Sequence, residues 1–532
     1  MEIGQSIYKI RNNAKLTQEQ FAEIFEVSQQ AVQKWESGSA VPDIEKIVKI
    51  AKYFDVSLDS LVMGNDNRLV EDMNKLEILK PQYKNIHDCE FYSSNLQTEY
   101  QQSIEEGLDI EAYKEVFYSV SMLPKGEIKK RFGDVLSDVV LSAKTMDGYP
   151  YVEPSDLGQI QMMRQGADKR YSYDKEKIKD KIYGAWLGRI CGCMLGKSVE
   201  GVRTNDVVPF LRETKNYPMY RYICRRDLQN IDLTKYKFNF SSRVYADEID
   251  GMPVDDDTNY VVLAQKIIEK YGRDFTPYDV SRAWLTYQCK DAYWTAERVA
   301  FCNFVKGYVP PQSAIYKNPY REWIGAQIRG DYFGYINPGD PKLAAEMAWR
   351  DASISHVKNG IYGEMFVAAM LAIAATTNNI EEIIIGGLAE IPQTSRLYES
   401  VMSILYSYKK GVSEHDCFKM IHEKYDEHSD HDWCHTISNA MIVVAALLYG
   451  KGDYGKSICM AVETGFDTDC NGATDCNGAT VGSILGMANG KETISKDWSA
   501  PINNKLHTSI FGVGTVNISD CVEKTMSHIE NK

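Results

Sequence analysis

"DKIYGAWLGRICGCMLGKSVEG", residues 180–201, places a glycine at every fourth position: Gly184, Gly188, Gly192 and Gly196. Residues four apart share one face of an α-helix, and a face without side chains lets another helix approach closely. The stretch therefore predicts a helix in tight contact with a partner, and it delivers Glu200 at the helix end. Glycine spacing alone indicates packing, so any chemistry must come from what else converges there.

Two distant stretches supply candidates. "GMPVDDDTNYVVLAQKIIEKYG", residues 251–272, sets Asp255, Asp256, Asp257 and Thr258 in the first turn of a helix buried through Val261, Val262, Leu263 and Ile267. Capping and the helix dipole account for one or two aspartates at an N-terminus. Three adjacent carboxylates repel unless a cation lies among them, and hard divalent cations take oxygen ligands. "ETGFDTDCNGATDCNGATVGS", residues 463–483, adds Asp467 and Asp469 before a run of small residues. Glu200, Asp256, Asp257, Asp467 and Asp469 together carry five negative charges. Two divalent cations offset four of them and leave one carboxylate for acid/base work.

The third stretch reads TDCNGA twice, as Thr468–Ala473 and Thr474–Ala479. Only the first copy completes an Asp-x-Asp; in the second, Ala473 stands where an Asp should. The second copy, however, runs directly into the helix "VGSILGMANG". Six extra residues turn a helix by about 600° and would rotate its buried face away. The expectation is that Asp467 and Asp469 hold the metal while residues 470–477 bulge as a loop. The alternative is that Asp475 replaces Asp469.

The 532 residues call for two or three domains. A net charge of −14 argues against general attraction to nucleic acid or an anionic membrane, so any DNA contact must be local. No basic-then-apolar leader and no run of about 18 apolar residues is present, which points to a cytoplasmic protein without membrane contact. The twelve cysteines lack zinc-knuckle spacing and read as reduced thiols. His431 and His435 in "HSDHDWCHTISNA" have the i,i+4 spacing of a zinc pair. No Glu follows the first of them as in a zinc protease, which disfavours a metal there.

Residues 1–65 read as a small helical bundle. Ile3, Ile7 and Ile10 recur at helical spacing, Thr17 and Ser28 are good N-caps, and Phe21, Ala22, Phe25, Val32 and Trp35 point inward. Two short helices joined by a tight turn inside such a bundle form a helix-turn-helix. "LTQEQFAEIFEVSQQAVQKWESGSAVPD", residues 16–43, resembles the Cro/repressor-type family almost position for position. The resemblance implies that the helix from Ser28 lies in the major groove of a DNA operator, and that Thr17, Gln18, Ser28, Gln29, Gln30, Gln33 and Lys34 form the DNA-facing set. Glutamines there can read adenine edges, and Lys34 guanine or phosphate. With seven basic and nine acidic residues, a net of −2, the module has little nonspecific affinity for DNA. A homodimer is the natural corollary. Residues 66–148 read as a helical spacer, and "DGYPYVEPSDLG", residues 147–158, as a boundary.

Residues 149–532 resemble the ADP-ribosylglycohydrolase family, the relatives of the dinitrogenase reductase-activating glycohydrolase. The order is that family's: a glycine-rich helix ending in Glu, then DDT, then "YREWIGAQIRGDYFGYINPG" (320–339), then "AWRDASISHVKNGIYGEMF" (348–366) with its Ser-His, then "HTISNAMIVVAALLYG" (435–450) before DTD. The resemblance implies an all-α fold, with the large domain an orthogonal helical bundle, and two Mg2+ ions in a cleft, with Mn2+ an acceptable substitute. It implies hydrolysis of the glycosidic bond of an ADP-ribosylated protein or related ADP-ribosyl substrate. It makes Asp256, Asp257, Asp467 and Asp469 metal ligands, Glu200 an acid/base group or second-metal ligand, Glu200 and Asp257 the catalytic pair, and His356, Gly325 and Ala326 the ADP-ribose-binding set. Two positions depart from the pattern. Asp255 stands where the family has Thr and joins the ligand set with an added charge. Cys470 stands where Thr or Ser follows DTD, and a thiol is at best a weak ligand for magnesium. The rival expectation is a transcriptional regulator whose glycohydrolase-like domain senses ADP-ribose or a nucleotide without turnover.

Overall fold

The computed structural model describes residues 2–56, 58–63, 80–166, 168, 170–466 and 475–530. They form two compact units, 1–85 and 86–532. Among the described residues the only strands are Lys505–His507 and Thr515–Asn517, an antiparallel pair with Leu506 opposite Val516. Everything else regular is helical, and no described helix is long and apolar enough to cross a membrane.

In the first unit, helices Glu2–Asn13, Gln18–Ile24, Gln29–Glu36, Ile44–Tyr53 and Leu58–Met63 close around Ile7, Phe21, Phe25, Val32, Trp35 and Ile50. The caps read from sequence are made. The Thr17 hydroxyl accepts from Gln20 N–H (3.1 Å) while Thr17 N–H donates to the Gln20 side chain (2.9 Å), and the Ser28 hydroxyl accepts from Ala31 N–H (3.2 Å). Arg11 pairs with Glu36 at 2.5 Å, nearly buried, and ties the first helix to the third.

The second unit begins upstream of the "DGYPYVEPSDLG" segment. Its first layer, with helices Leu96–Glu105, Lys114–Ser121 and Glu127–Ser142, has a small core of Tyr92, Leu96, Ile110, Phe117, Val120 and Leu136. Buried Arg321 of the large bundle holds this layer through Glu99 (2.7 Å) and Glu106 (2.5 Å). Residues 66–79 of the stretch read as a spacer, and the two residues before it, lie outside the described residues.

The heart of the bundle is the pair Ile178–Lys197 and Asp475–Asn489. Gly184, Gly188 and Gly192 face Gly486, Gly482 and Gly478 in antiparallel order. A Cβ at Gly188 would meet the Gly482 carbonyl carbon at 2.9 Å, and one at Gly478 would meet the Gly192 oxygen at 2.7 Å. The four-residue glycine spacing therefore does what it promised: backbone lies on backbone. Lys358–Ala374 and Thr436–Gly450, apolar all round, are buried along almost their whole length beside this pair.

Candidate metal centre and active site

The glycine pair brings three distant segments to one point. Asp255 caps the helix Asp256–Tyr271, its Oδ1 accepting from Asp257 N–H at 3.0 Å. Asp257 is fully buried. Its Oδ1 receives Arg189 Nη2 at 2.8 Å, while its Oδ2 is buried without a hydrogen-bond partner. Arg189, on the glycine helix, spans from Asp257 to Asp331, whose Oδ2 lies 2.9 Å from Nη1. One turn beyond Cys193 on the same helix, Lys197 Nζ stands 2.5 Å from Asp255 Oδ2 and 3.9 Å from Glu200 Oε2. Arg243 holds Glu200 from the other side, Nη1 to Oε2 at 3.2 Å.

Asp475, the first residue of the partner helix, completes the group. It is fully buried, with Cys193 Sγ 3.7 Å from its Oδ2. Cys193, Asp255, Asp257 and Asp475 each offer a ligand atom, all within 4.8 Å of one another. Carboxyl groups so close cannot all ionise unaided. Burial would raise Asp255, but the Lys197 ammonium holds it below the usual aspartate range. Burial, with Asp255, Asp257 and Glu200 as neighbours, pushes Asp475 far above that range. Burial likewise raises Asp257 against the pull of Arg189, and raises Glu200 to about 8 against Lys197 and Arg243. The Cys193 thiol is pushed up by burial and by Asp255, so it acts as a donor and not as a hard-cation ligand. An oxygen-rich, negatively charged floor with an orphaned Asp257 oxygen fits a hard divalent cation.

Above this floor opens a cavity of about 310 Å³, lined by Lys197, Glu200, Asp255, Asp256, Asn259 and Trp294 among others. Behind it lies a wholly buried charged wall. Arg329 binds Asp351 (2.5 Å), Glu297 (2.7 Å) and the Ser355 hydroxyl (3.1 Å), and the Ser355 hydroxyl lies 2.8 Å from His356 Nδ1. Burial raises Glu297 to about 7 despite Arg329, while burial and Arg329 keep the His356 imidazole neutral. A Cβ at Gly325 would meet the Glu297 carboxyl carbon at 2.5 Å, so a side chain there would have to displace the Glu297 carboxylate from Arg329.

Residues 174–524 match the family described as ADP-ribosylglycohydrolase. This chain belongs to the ADP-ribosylglycohydrolase family. Residues 7–61 match the helix-turn-helix family. Over 87 residues the chain is 36% identical to the HTH-type transcriptional activator BcrR of Enterococcus faecalis, and over 67 residues 35% identical to the uncharacterized HTH-type transcriptional regulator YqaE of Bacillus subtilis. These matches span 16% and 13% of this chain, and 43% and 58% of the two relatives. A solved ADP-ribosylglycohydrolase-related protein complex aligns with a TM-score of 0.39 and 17% identity, over 67% of this chain and 99% of that one.

Within this family member, Glu200, Asp255, Asp256, Asp257 and Asp475 lie together; Asp467, Asp469 and Cys470 lie outside the described residues. The loop expected over 470–477 is corrected at its end, because residues 475–477 form the first turn of a helix. The reason is the glycine ladder: Gly478 of the second copy occupies the rung opposite Gly192. Gly325, Ala326 and His356 are buried in the wall and do not line the cavity. Gln29, Gln30, Gln33 and Lys34 are exposed on the third helix, whereas Gln18 donates to Glu36 at 2.7 Å and Thr17 and Ser28 serve as caps.

Sequence reading missed Arg189, Cys193, Lys197 and Glu297. An arginine inside a glycine-striped apolar helix was a signal for the first, and the i,i+3 spacing of Lys197 to Glu200 for the third. Glu297 in "TAERVAF" carried none. His431 and His435 do meet Glu105. Their Nδ1 atoms, however, accept N–H groups from Trp323 (3.3 Å) and Ile437 (3.1 Å), which assigns the protons to Nε2, facing Glu105 and Glu322. A metal-bound histidine normally donates from its other nitrogen, whereas both Nδ1 atoms accept here, which disfavours a metal at this cluster.

Proposed function

We propose that the large unit is a Mg2+-dependent hydrolase of ADP-ribosyl glycosidic bonds, with Mn2+ able to replace Mg2+, and that the helix-turn-helix unit brings it to a DNA operator, as a homodimer. The observation that carries the reading is the buried, unpartnered Asp257 oxygen facing Asp255 and Asp475, with Glu200 at the rim of the same cavity.

Asp255, Asp256, Asp257 and Asp475 would hold the metal, which supplies a Lewis acid for ribose hydroxyls or water. The chain's own groups do the rest. Glu200, oriented by Arg243 and kept near its protonation midpoint, moves the proton: water adds its hydroxyl to the anomeric carbon, and a proton passes to the departing acceptor atom. Buried carboxylates stabilise the oxocarbenium-like charge that develops between those steps. Trp294 and Asn259 border the space above Glu200 and bound the substrate.

The test is release of free ADP-ribose from ADP-ribosylated arginine, serine or nucleic-acid substrates by the purified chain with Mg2+. The helix-turn-helix unit and its regulator relatives favour one other reading, a sensor that binds ADP-ribose without turnover. Binding without release selects the sensor. Operator binding measured across salt concentrations tests the first unit, where Gln30 or Gln33 to Ala should cost about 1–3 kcal/mol at one base position and relax specificity there.

A further inference from the structure

We infer that the helix Glu127–Ser142 is a self-association surface, which pairs antiparallel with the same helix of a second copy of this chain. The inference deepens the homodimer proposed above by naming its contact, and it rests on that reading for the partner alone. One face of the helix is turned inward: Gly133, Leu136 and Ser137 are buried, and buried Lys129 donates to the Ser121 carbonyl at 2.7 Å. A second face is apolar and open to solvent. Ile128, Phe132 and Val135 are 67%, 51% and 60% exposed, and half-buried Val139 continues the row. Their spacing, i, i+4, i+7 and i+11, is that of a seam where one helix packs lengthwise on another. Single exposed apolar side chains are ordinary, but a row of them along one helix marks an interaction site.

The charges beside the row say what covers it. Arg131 and Asp138, both exposed, flank the row on its solvent side, one in each half of the helix. Arg131 pairs at the surface with Glu127 of its own helix, at 2.9 Å. When a second copy is turned end over end about a two-fold axis through the middle of the row, Phe132 meets Val135 and Ile128 meets Val139. In the same register Arg131 meets Asp138, and every contact is made twice. A two-fold interface requires a surface complementary to itself end for end, whereas a foreign partner imposes no such order on apolar and charged residues. Four seam residues per copy make a short contact, so the dimer should depend on concentration.

The test is sedimentation velocity of the full-length chain at rising concentration, with circular dichroism to report the fold of each variant. Wild type is expected to pass from monomer to dimer, and Phe132→Asp to stay monomeric over the same range. Arg131→Asp, which brings like charges together across the seam, should weaken the dimer, and Arg131→Asp with Asp138→Arg should restore it. A dimer that persists in folded Phe132→Asp overturns the inference and leaves the homodimer standing. A wild-type chain that is monomeric at every concentration leaves the row to another partner and overturns the inference, and operator binding then decides the homodimer separately. Should Phe132→Asp fail to fold, the charge exchange decides: no loss in the single variant, or no recovery in the double one, overturns the inference.

Discussion

Replacing Gly188 by Ala puts a methyl group into the tightest contact of the large unit. The new Cβ would lie 2.9 Å from the Gly482 carbonyl carbon, closer still to its oxygen, and 3.3 Å from the Tyr454 ring. Ordinary carbon contacts begin near 3.5 Å, so the two helices must part by roughly 1 Å. Overpacking a core costs about 1–3 kcal/mol, and here the obstacle is backbone that no rotamer change can move aside, which argues for about 3 kcal/mol. Alanine in place of glycine inside a helix returns ~0.5–1 kcal/mol. The expected net loss is about 2 kcal/mol, a sizeable part of a typical stability of about 5–15 kcal/mol. Tyr454, which donates to the Gly188 carbonyl at 2.8 Å, shifts too. Urea denaturation followed by tryptophan fluorescence reads the large unit, since only Trp35 of the eight tryptophans lies in the first unit. Gly158→Ala is the control, because that glycine is exposed in a helix and should be neutral or slightly stabilising. If Gly188→Ala unfolds at the same urea concentration as wild type, close backbone approach is not what the glycine spacing provides.

Asp475→Asn should weaken Mn2+ binding by at least about 10–100-fold, the loss typical of removing even an outer-sphere partner, and equilibrium dialysis would read it. Deleting Thr468–Ala473 keeps Asp475 at its helix start and rejoins Asp467 two residues ahead of it. Affinity should hold or rise, and a fall would count against Asp475 as the ligand. Glu200→Gln should lower kcat by about 10²–10⁴-fold with Mn2+ stoichiometry unchanged; equal loss of metal would make Glu200 a ligand and not the proton carrier. For Glu105, burial pulls upward, but the hydrogen bond from His431 holds the carboxyl down to about 2. A depressed carboxylate stabilises the fold above its unfolded value of 4.5 and loses that contribution as pH falls toward about 2. Urea midpoints of wild type should therefore drop across that window while those of Glu105→Gln stay flatter, and parallel curves would remove Glu105 from the acid response.

Much of the site was legible in residue pattern because it depends on local rules. Three aspartates at one helix N-terminus exceed what capping needs, and a glycine every fourth residue makes sense only against another helix. Thr17 and Ser28 marked the starts of the two short helices of the helix-turn-helix through capping. The buried cations were harder to see. Arg189 and Lys197 take their meaning from Asp257, Asp331 and Asp255, which lie 58 or more positions away and meet them only after packing. Glu297 has no local signature at all, since it is set by Arg329 across the bundle.

Sequence alone determined that this chain is helical and that it joins a helix-turn-helix to an acidic, glycine-striped domain of the ADP-ribosylglycohydrolase family. It left open whether Asp469 or Asp475 serves, since the first TDCNGA completes an Asp-x-Asp while the second adjoins the helix. Tertiary structure places residues 475–479 of the second copy. Gly478 must meet Gly192 for the two central helices to close, and that contact starts the helix at Asp475 and buries this carboxyl beside Asp255 and Asp257. The burial of this carboxyl was thus decided by backbone packing on the opposite face of its own helix, a long-range constraint that no local spacing records.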